Sequence, residues 1–416
     1  MTMKSIKKRD GRTVAFDPAK IQAAIMKSFE ASGSAKGPET AEQLTQRVVE
    51  ELENNESIGS VPTVEEVQDT VERVLIEKGF VRSAKAYILY RAERSRVREM
   101  NTRLMKIFED ISFKDSRDSD IKRENANING DTAMGAMLKF GSEGAKQFYD
   151  MYVLDPRFAQ AHAEGDIHIH DKDFYTLTTT CCQIELSSLF RDGFSTGHGT
   201  LREPMDIASY SALACIAIQA NQNDQHGGQS IVDFDYGMAP GVKKTFIKRY
   251  RANLARALEL LCNLENAEET AEKLMDLMQA TGAQPTLEEQ PEHREALKAQ
   301  LLEIAPDEAL CERMLDFAQE KAAKETDRAT YQAMEALIHN LNTMNSRAGA
   351  QVPFSSINYG MDTSPEGRMV VRNVLLATEA GLGHGETPIF PIQIFRVKSG
   401  ISYNPGDPNY DLYRLA

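Results

Sequence analysis

Apolar residues recur at helical spacing through the first hundred positions of the chain. The apolar positions predict a helix from Asp17-Pro18 to Gly33, then helices near 40–52, 64–79 and 84–96. Ahead of them, two short runs flank Asp10-Gly11, a pair typical of a two-residue type I′ hairpin turn. Residues 1–95 are therefore predicted to form a small, mainly α-helical domain that opens with a β-hairpin.

The pattern changes after a charged helical stretch at 97–122, where short apolar runs begin to alternate with long helical ones. Strands are predicted at 165–174, 178–186 and 388–397, and helices at 206–220 and through most of 243–340, with a break near 282–291. Strands that alternate with long helices are typical of an α/β fold. Residues 96–416 are therefore predicted to form one α/β domain.

Composition and charge exclude several classes of protein. Of 416 residues, 41% are hydrophobic and 26% are charged, which is ordinary for a globular protein. The formal net charge of -14 disfavours a general nucleic-acid or anionic-membrane surface. No apolar stretch is long enough to span a bilayer, and the N-terminus lacks a signal-peptide core, so we expect a cytoplasmic protein.

The five cysteines fall in neither a disulfide framework nor a CxxC zinc pattern. Cys181 and Cys182 are adjacent on a predicted strand, so only one of them can face a given pocket. The pair is then either one reactive thiol beside a buried one, or two small core residues. His168 and His170, with two aspartates nearby, could bind a metal, but we favour a polar strand end and predict no metal site.

A basic turn lies beside the first helix. Lys7, Lys8 and Arg9 are consecutive cations near a helix N-terminus, and Lys20 adds a fourth. Cations beside free helix N–H groups favour a polyphosphate, although a solvated basic turn is the simpler explanation of the local pattern.

The whole of the first segment resembles the ATP-cone, the regulatory nucleotide-binding domain of ribonucleotide reductases. The similarity rests on the Lys-Arg-Asp-Gly turn at 8–11, the helix start at 16–21, the helix at 64–72 and the closing motif at 86–91. The resemblance implies that Lys8, Arg9 and Lys20 hold phosphate and that Tyr87 and Arg91 lie near the pocket. ATP and dATP would be the allosteric effectors.

Longer motifs follow in the α/β segment, at 124–127, 165–174, 179–184, 226–228, 340–342, 346–354 and 387–391. Together they resemble the anaerobic, class III ribonucleoside-triphosphate reductases. The resemblance implies a ten-stranded α/β barrel of the glycyl-radical enzyme type, of which this chain would hold the N-terminal part.

The same resemblance assigns roles to single residues. Cys181 would face the ribose and take part in reducing C2′, with Cys182 left to the core, and His168 would contact substrate or reductant. Asn125, Asn127 and Arg347 are candidates for the substrate pocket, although Arg347 could instead fix a turn. The substrate would be a ribonucleoside triphosphate.

Cofactors and partners are also implied by the family. Formate is the expected reductant, with a thioredoxin-type donor as the other possibility. A separate iron–sulfur activase that uses S-adenosylmethionine would install the radical, and a homodimer or higher homo-oligomer is expected.

Three family features have no match in these 416 residues: the thiyl-radical cysteine, the glycyl-radical loop and a four-cysteine zinc site. We therefore expect the glycyl radical and the zinc in a C-terminal half that is missing here, and no turnover by this chain alone. The alternative is a noncatalytic nucleotide-sensing or assembly module.

Overall fold

A computed structural model describes residues 3–9, 11–55, 58, 61–113, 132–175, 179–197, 199–346 and 351–416. The chain divides into two compact units, Met1–Glu109 and Asp110–Ala416. The candidates Asn125, Asn127 and Arg347 lie outside the described residues.

The first unit consists of a hairpin and four helices. Its elements are β1 (Ser5–Lys7), β2 (Thr13–Ala15), α1 (Pro18–Ser32), α2 (Pro38–Asn54), α3 (Val64–Glu77) and α4 (Val81–Phe113). Asp17 caps α1 by accepting from the backbone N–H of Ala19, and Gly33 ends that helix in the left-handed region, at φ 66°. The apolar faces of the helices meet in one core that includes Ile25, Phe29, Val48, Leu52, Val71 and Leu75.

Three boundaries in this unit differ from the prediction. The hairpin connection is longer than a two-residue turn, because Gly11 donates to the carbonyl of Lys8 and Lys8 donates to that of Arg12. The second helix begins at Pro38, where proline can occupy the first turn, rather than at Thr40. The fourth helix continues to Phe113, since no glycine or proline interrupts it near residue 96.

The second unit contains ten helices among its described residues. They are α5 (Ala133–Tyr152), α6 (Pro156–Glu164), α7 (Leu186–Asp192), α8 (Ile207–Asp224), α9 (Phe234–Cys262), α10 (Ala267–Thr281), α11 (Pro291–Ile304), α12 (Glu308–Thr343), α13 (Pro365–Ala380) and α14 (Tyr410–Leu415). The strands there are β3 (Thr179–Ile184), β4 (Phe194–Ser195), β5 (Thr200–Leu201), β6 (Gln225–Ile231), β7 (Ser355–Tyr359) and β8 (Ile392–Phe395).

Four of these strands form a parallel sheet in the order β3-β6-β7-β8. One face packs on the helices through Ile184, Ile231 and Ile357, which are buried in the main core. On the opposite face, Ile392 and Ile394 remain 43% and 41% exposed. The α/β prediction is confirmed, and the described strands form an open sheet rather than a closed barrel.

The strand predicted at 165–174 is wrong. Gly165 ends α6 in the left-handed region, and the chain then forms a short 3-10 turn at Lys172–Phe174. Lys172 is buried in an ion pair with Asp150, at 2.8 Å, which fixes the turn against α5. The apolar residues of this stretch are too few to compete with the polar side chains that anchor it.

A second apolar core lies among α9, α10, α11 and α12, apart from the core beneath the sheet. The helical prediction for 243–340 is thereby confirmed, with the break at Gly282 where α10 ends. In the part of the chain that the structure describes, no helix combines the length and the apolar character needed to cross a membrane.

Asp235, buried in the first turn of α9, joins that helix to the end of β7. One of its carboxylate oxygens accepts from the backbone N–H groups of Gly360, Met361 and Asp362, at 2.8, 2.8 and 2.9 Å. Because Asp235→Ala leaves these groups without their acceptor, we expect a loss of about 3 kcal/mol in the free energy of unfolding. Asp235→Asn should lose less, and Asp276→Ala, on the exposed side of α10, should lose almost nothing. Urea unfolding measures all three; equal losses for Asp235→Ala and Asp276→Ala would contradict the assignment.

Candidate functional sites

A cavity of about 380 Å³ opens in the first unit between α1, α3 and α4. Its lining combines cations, two tyrosines and small residues: Lys20, Ala23, Ala24, Lys27, Ser28, Ala31, Gln68, Ala86, Tyr87, Tyr90, Arg91, Arg94 and Arg98. The alanines of α1 leave room, while the cations favour an anionic ligand. The arrangement suits a ligand that carries both a flat apolar group and several negative charges.

An ion-pair network borders the cavity. Arg91 contacts Glu65 at 2.8 Å and Glu72 at 2.9 Å, and it also pairs with Asp69. Arg9, at the hairpin turn, pairs with the same Glu65. Hydrogen bonding from Arg9, supported by Arg91, lowers the pKa of Glu65 to about 2 despite some burial. Glu65 therefore stays ionised and ties the hairpin to α4.

Three of the five predicted nucleotide-binding residues, Lys20, Tyr87 and Arg91, line the cavity together. Arg9 reaches its edge, where it donates to Gln68 at 2.9 Å. Lys8 is exposed on the hairpin and is not part of the lining. Burial, as the main cause, raises the pKa of Tyr87 to about 12, so its hydroxyl stays protonated at neutral pH.

Sequence reasoning missed Tyr90, Arg94 and Arg98, which line the cavity from α4 beside the predicted Tyr87 and Arg91. Tyr87, Tyr90, Arg91, Arg94 and Arg98 follow one another at helical spacing, which places them on one side of α4. That stripe of aromatic and basic residues was visible in the sequence and could have identified the helix as a wall of the site. Lys27 likewise stands two turns after Lys20 on α1.

In the second unit, Cys181 lies at a β-bulge, where it is the single β3 residue opposite Gly227 and Gly228 of β6. The register passes from Thr180 opposite His226 to Cys182 opposite Gln229, and Cys181 between them adopts a left-handed conformation at φ 43°. Its thiol is exposed. A Cβ atom at Gly227 would lie 2.9 Å from the Cys181 sulfur, so only glycine allows this close approach.

Cys182 has a different environment. It is partly buried against the main core, and Asn221 donates to its sulfur at 2.9 Å. Burial raises the pKa of the Cys182 thiol, which lowers its thiolate fraction. The two adjacent thiols are therefore unequal in exposure, as strand alternation predicted.

Three histidines of the second unit, His168, His170 and His226, lie near the same strand end. The rings of His168 and His170 are 5.8 Å apart, although they lie in the loop after α6 rather than on a strand. His170 and His226 both approach the carboxylate of Asp171, at 3.5 and 3.7 Å. His226 is the register partner of Thr180, next to Cys181. Within the described ranges, no three His, Cys, Asp or Glu side chains are grouped to hold a metal ion.

Both units match models of known protein families. A family model for "Anaerobic ribonucleoside-triphosphate reductase" matches residues 124–416, and one for "ATP cone domain" matches residues 4–96. The chain belongs to the anaerobic ribonucleoside-triphosphate reductase family. The cavity of the first unit thus lies within the ATP-cone match, and the Cys181 bulge lies within the reductase match.

Individual relatives show how much of a reductase this chain covers. It is 26% identical to the anaerobic ribonucleoside-triphosphate reductase of Salmonella typhimurium over 99% of this chain and 49% of the relative. The Escherichia coli protein of the same name is 25% identical over the same shares. A ribonucleoside-diphosphate reductase subunit alpha of Chlamydia muridarum is 41% identical over 23% of this chain and 10% of its own length. The chain spans about half the length of the anaerobic relatives.

His162 of α6 is a further residue of this reductase segment that sequence reasoning missed. Its Nδ1 accepts from the backbone N–H of Ile169 at 3.2 Å, and its ring lies 5.6 Å from that of His168. The signal was the spacing of three histidines within nine residues, at 162, 168 and 170. His162 therefore orders the loop that carries His168.

The loop should loosen at acidic pH. Burial, followed by the charge of Lys172, lowers the pKa of His162 below its ordinary value of 6.5. Because the unfolded state then binds more protons than the folded state, the free energy of unfolding falls as the pH falls. The contribution of neutral His162 is complete above about pH 6.5 and is lost as the pH falls below that value. His162→Asn keeps a hydrogen-bond acceptor but does not titrate, so we expect a smaller stability difference between about pH 7.5 and about pH 5.5.

Urea unfolding at the two pH values measures this difference. His384→Asn removes an exposed imidazole and is the matched control. A pH dependence that is unchanged in His162→Asn would contradict the role given to that residue.

Proposed function

We propose that a reductase containing this chain converts ribonucleoside triphosphates to 2′-deoxyribonucleoside triphosphates under anaerobic conditions, with Cys181 as the reacting thiol of this half. The observation that carries the proposal is the exposed Cys181, held in a left-handed bulge against Gly227. A non-glycine residue in that conformation is strained, and such strain concentrates at functional sites.

The uncovered face of the parallel sheet favours a barrel in the complete reductase. All-parallel sheets are normally covered on both faces, whereas β8 leaves Ile392 and Ile394 exposed on one face here. We infer that the four strands are the early part of a ten-stranded α/β barrel and that the open face is its interior. Cys181 and His168 would then contribute to a pocket for the ribose, together with Asn125, Asn127 and Arg347.

The overall reaction requires two electrons. The 2′-hydroxyl takes up a proton and leaves C2′ as water, and formate supplies two electrons and a hydrogen as it is oxidised to carbon dioxide. A radical, installed by an activase that uses S-adenosylmethionine, would abstract the 3′ hydrogen through a cysteine outside this chain. The role that we assign to Cys181 is to donate a hydrogen atom on the C2′ side of the ribose. Formate would return a hydrogen atom to the resulting Cys181 thiyl, and the second electron would pass to the ribose as carbon dioxide is released.

The cavity of the first unit would bind ATP or dATP as an allosteric effector. Lys20, Arg94 and Arg98 supply positive charge for the phosphates, and Tyr87 offers an aromatic face for the base. Arg91 would donate to the nucleotide in exchange for part of its ion-pair network with Glu65, Asp69 and Glu72. Lys8 and Arg9 would reach the phosphates from the hairpin turn. We place the boundary of this regulatory domain near residue 95, with residues 96–416 assigned to the catalytic barrel.

Several partners complete the proposal. The glycyl radical and a structural zinc would belong to the half of the relatives that this chain does not match. A homodimer or higher homo-oligomer and the separate activase would be the protein partners.

The test is an anaerobic assay of the full-length reductase that contains this chain, with activase, formate, a ribonucleoside triphosphate and ATP. Deoxyribonucleotide should form, and it should depend on formate. The 416-residue chain by itself should give none, because the relatives that it matches are about twice as long. Absence of product from the activated full-length protein, or turnover by the 416-residue chain, would overturn the proposal.

A further inference from the structure

Three amide side chains beside the Cys181 bulge are connected by hydrogen bonds: those of Asn221, Gln229 and Gln222. Asn221, near the end of α8, donates to the sulfur of Cys182 at 2.9 Å and to the Oε1 atom of Gln229 at 2.8 Å. Gln229 in turn donates to the Oε1 atom of Gln222 at 2.9 Å. An amide NH₂ carries two donor hydrogens, so Asn221 can make both of its bonds at once.

The position of these three amide side chains matters because Gln229 and Cys182 are register partners in the sheet. Asn221 therefore holds β3 to β6 from the helix side, at the first paired position after the bulge. The residue before that position is Cys181, whose left-handed conformation a strand does not adopt without support. The bulge is thus anchored at Cys182 by a hydrogen bond that comes from outside the sheet.

We propose that Asn221 is a positioning residue for Cys181: its bonds to Cys182 and Gln229 fix the bulge so that the Cys181 sulfur stays exposed while the Cys182 sulfur stays covered. This inference rests on the proposed function only in giving Cys181 a reaction to perform. The geometry that it describes, one accessible thiol beside one protected thiol, is a property of this chain.

The first measurement is the selectivity of alkylation. The folded 416-residue chain is treated with a limiting amount of iodoacetamide, and tandem mass spectrometry of the peptide that contains both cysteines locates the label. We expect Cys181 to react at least about tenfold faster than Cys182 in the wild-type chain. Asn221→Asp keeps the shape of the side chain but cannot donate to the sulfur, so the ratio should fall to about threefold or less.

Asn223→Asp introduces the same charge two residues away, on the exposed side of α8, and is the matched control. It should keep the wild-type ratio. Cys182→Val removes the acceptor of the Asn221 bond, so it should change the rate of alkylation at Cys181 by the same factor as Asn221→Asp does. Should Asn221→Asp fail to fold by circular dichroism, Asn221→Ser and Cys182→Val carry the test.

The second measurement is made in the full-length reductase. Asn221→Asp should lower kcat at least about tenfold and leave KM for the ribonucleotide within about twofold, because the thiol is displaced while the substrate contacts persist. A folded Asn221→Asp chain that keeps the wild-type alkylation ratio would overturn the positioning role. If Cys181→Ser remains active, the proposed function fails, but the alkylation ratio still decides whether Asn221 sets the geometry.

Discussion

Replacing Cys181 by serine in the full-length reductase should abolish deoxyribonucleotide formation, with a loss of at least about a thousandfold in kcat. Serine preserves the size of the side chain. Because position 181 is exposed, the serine hydroxyl would lie in water, so folding should be unaffected. The loss would be chemical, because an O–H bond gives up a hydrogen atom far less readily than an S–H bond. Product is measured by chromatography after anaerobic activation.

Cys182→Ser is the matched control, since it makes the same atomic change one residue away. Its hydroxyl would replace the sulfur as the acceptor for the side-chain N–H of Asn221, so the buried polar group keeps a partner. Activity should stay within about threefold of the wild type, and the thermal midpoint should change little. An inactive, stable Cys182→Ser protein beside an active Cys181→Ser protein would reverse the assignment.

Much of the fold could be predicted because its signals are local. The Asp17-Pro18 start and the Gly33 end of α1 depend on neighbouring residues only, and the structure has both where they were predicted. The buried helix after Asp206 is likewise confirmed. A strand was predicted at 178–186, and the structure has one at Thr179–Ile184 in the sheet.

The errors arise where distant residues decide the conformation. The stretch 165–174 alternates like a strand, but the buried pair between Lys172 and Asp150 and the helix end at Gly165 impose a turn. Alternation correctly predicted unequal thiols at 181 and 182. It could not predict the bulge, which depends on the approach of Gly227 and on the hydrogen bond from Asn221, 39 residues away along the chain.

The cavity of the first unit also combines residues that the sequence predicted with a residue that it could not predict. Lys20, Tyr87 and Arg91 were predicted one by one, and they do line one cavity. Glu65, which joins Arg9 to Arg91, was not predicted, because a single glutamate in a helix rich in acidic residues carries no distinguishing signal. Its importance follows only from the packing of α3 between the hairpin and α4.

Reversing the charge of Lys20 should remove most nucleotide binding by the 416-residue chain. Lys20 lines the cavity, and its side chain is 75% exposed, so Lys20→Glu should not disturb the core. A charge-assisted phosphate contact contributes about 1.5 to 3 kcal/mol, and the new carboxylate also repels the phosphates. Titration calorimetry with ATP and with dATP should therefore show an affinity at least about tenfold weaker than that of the wild type.

Lys78→Glu, just beyond the end of α3 and outside the cavity lining, makes the same change in net charge and should leave binding within about twofold. Lys8→Glu combined with Arg9→Glu tests the hairpin, and the resemblance again predicts a loss of at least about tenfold. Lys20→Glu tests whether the cavity holds the phosphates, and the hairpin variant tests whether the turn holds them. If only the hairpin variant binds weakly, the phosphates lie at the turn and the cavity holds the base. Unchanged affinity in both Lys20→Glu and the hairpin variant would contradict the phosphate-binding role given to Lys8, Arg9 and Lys20.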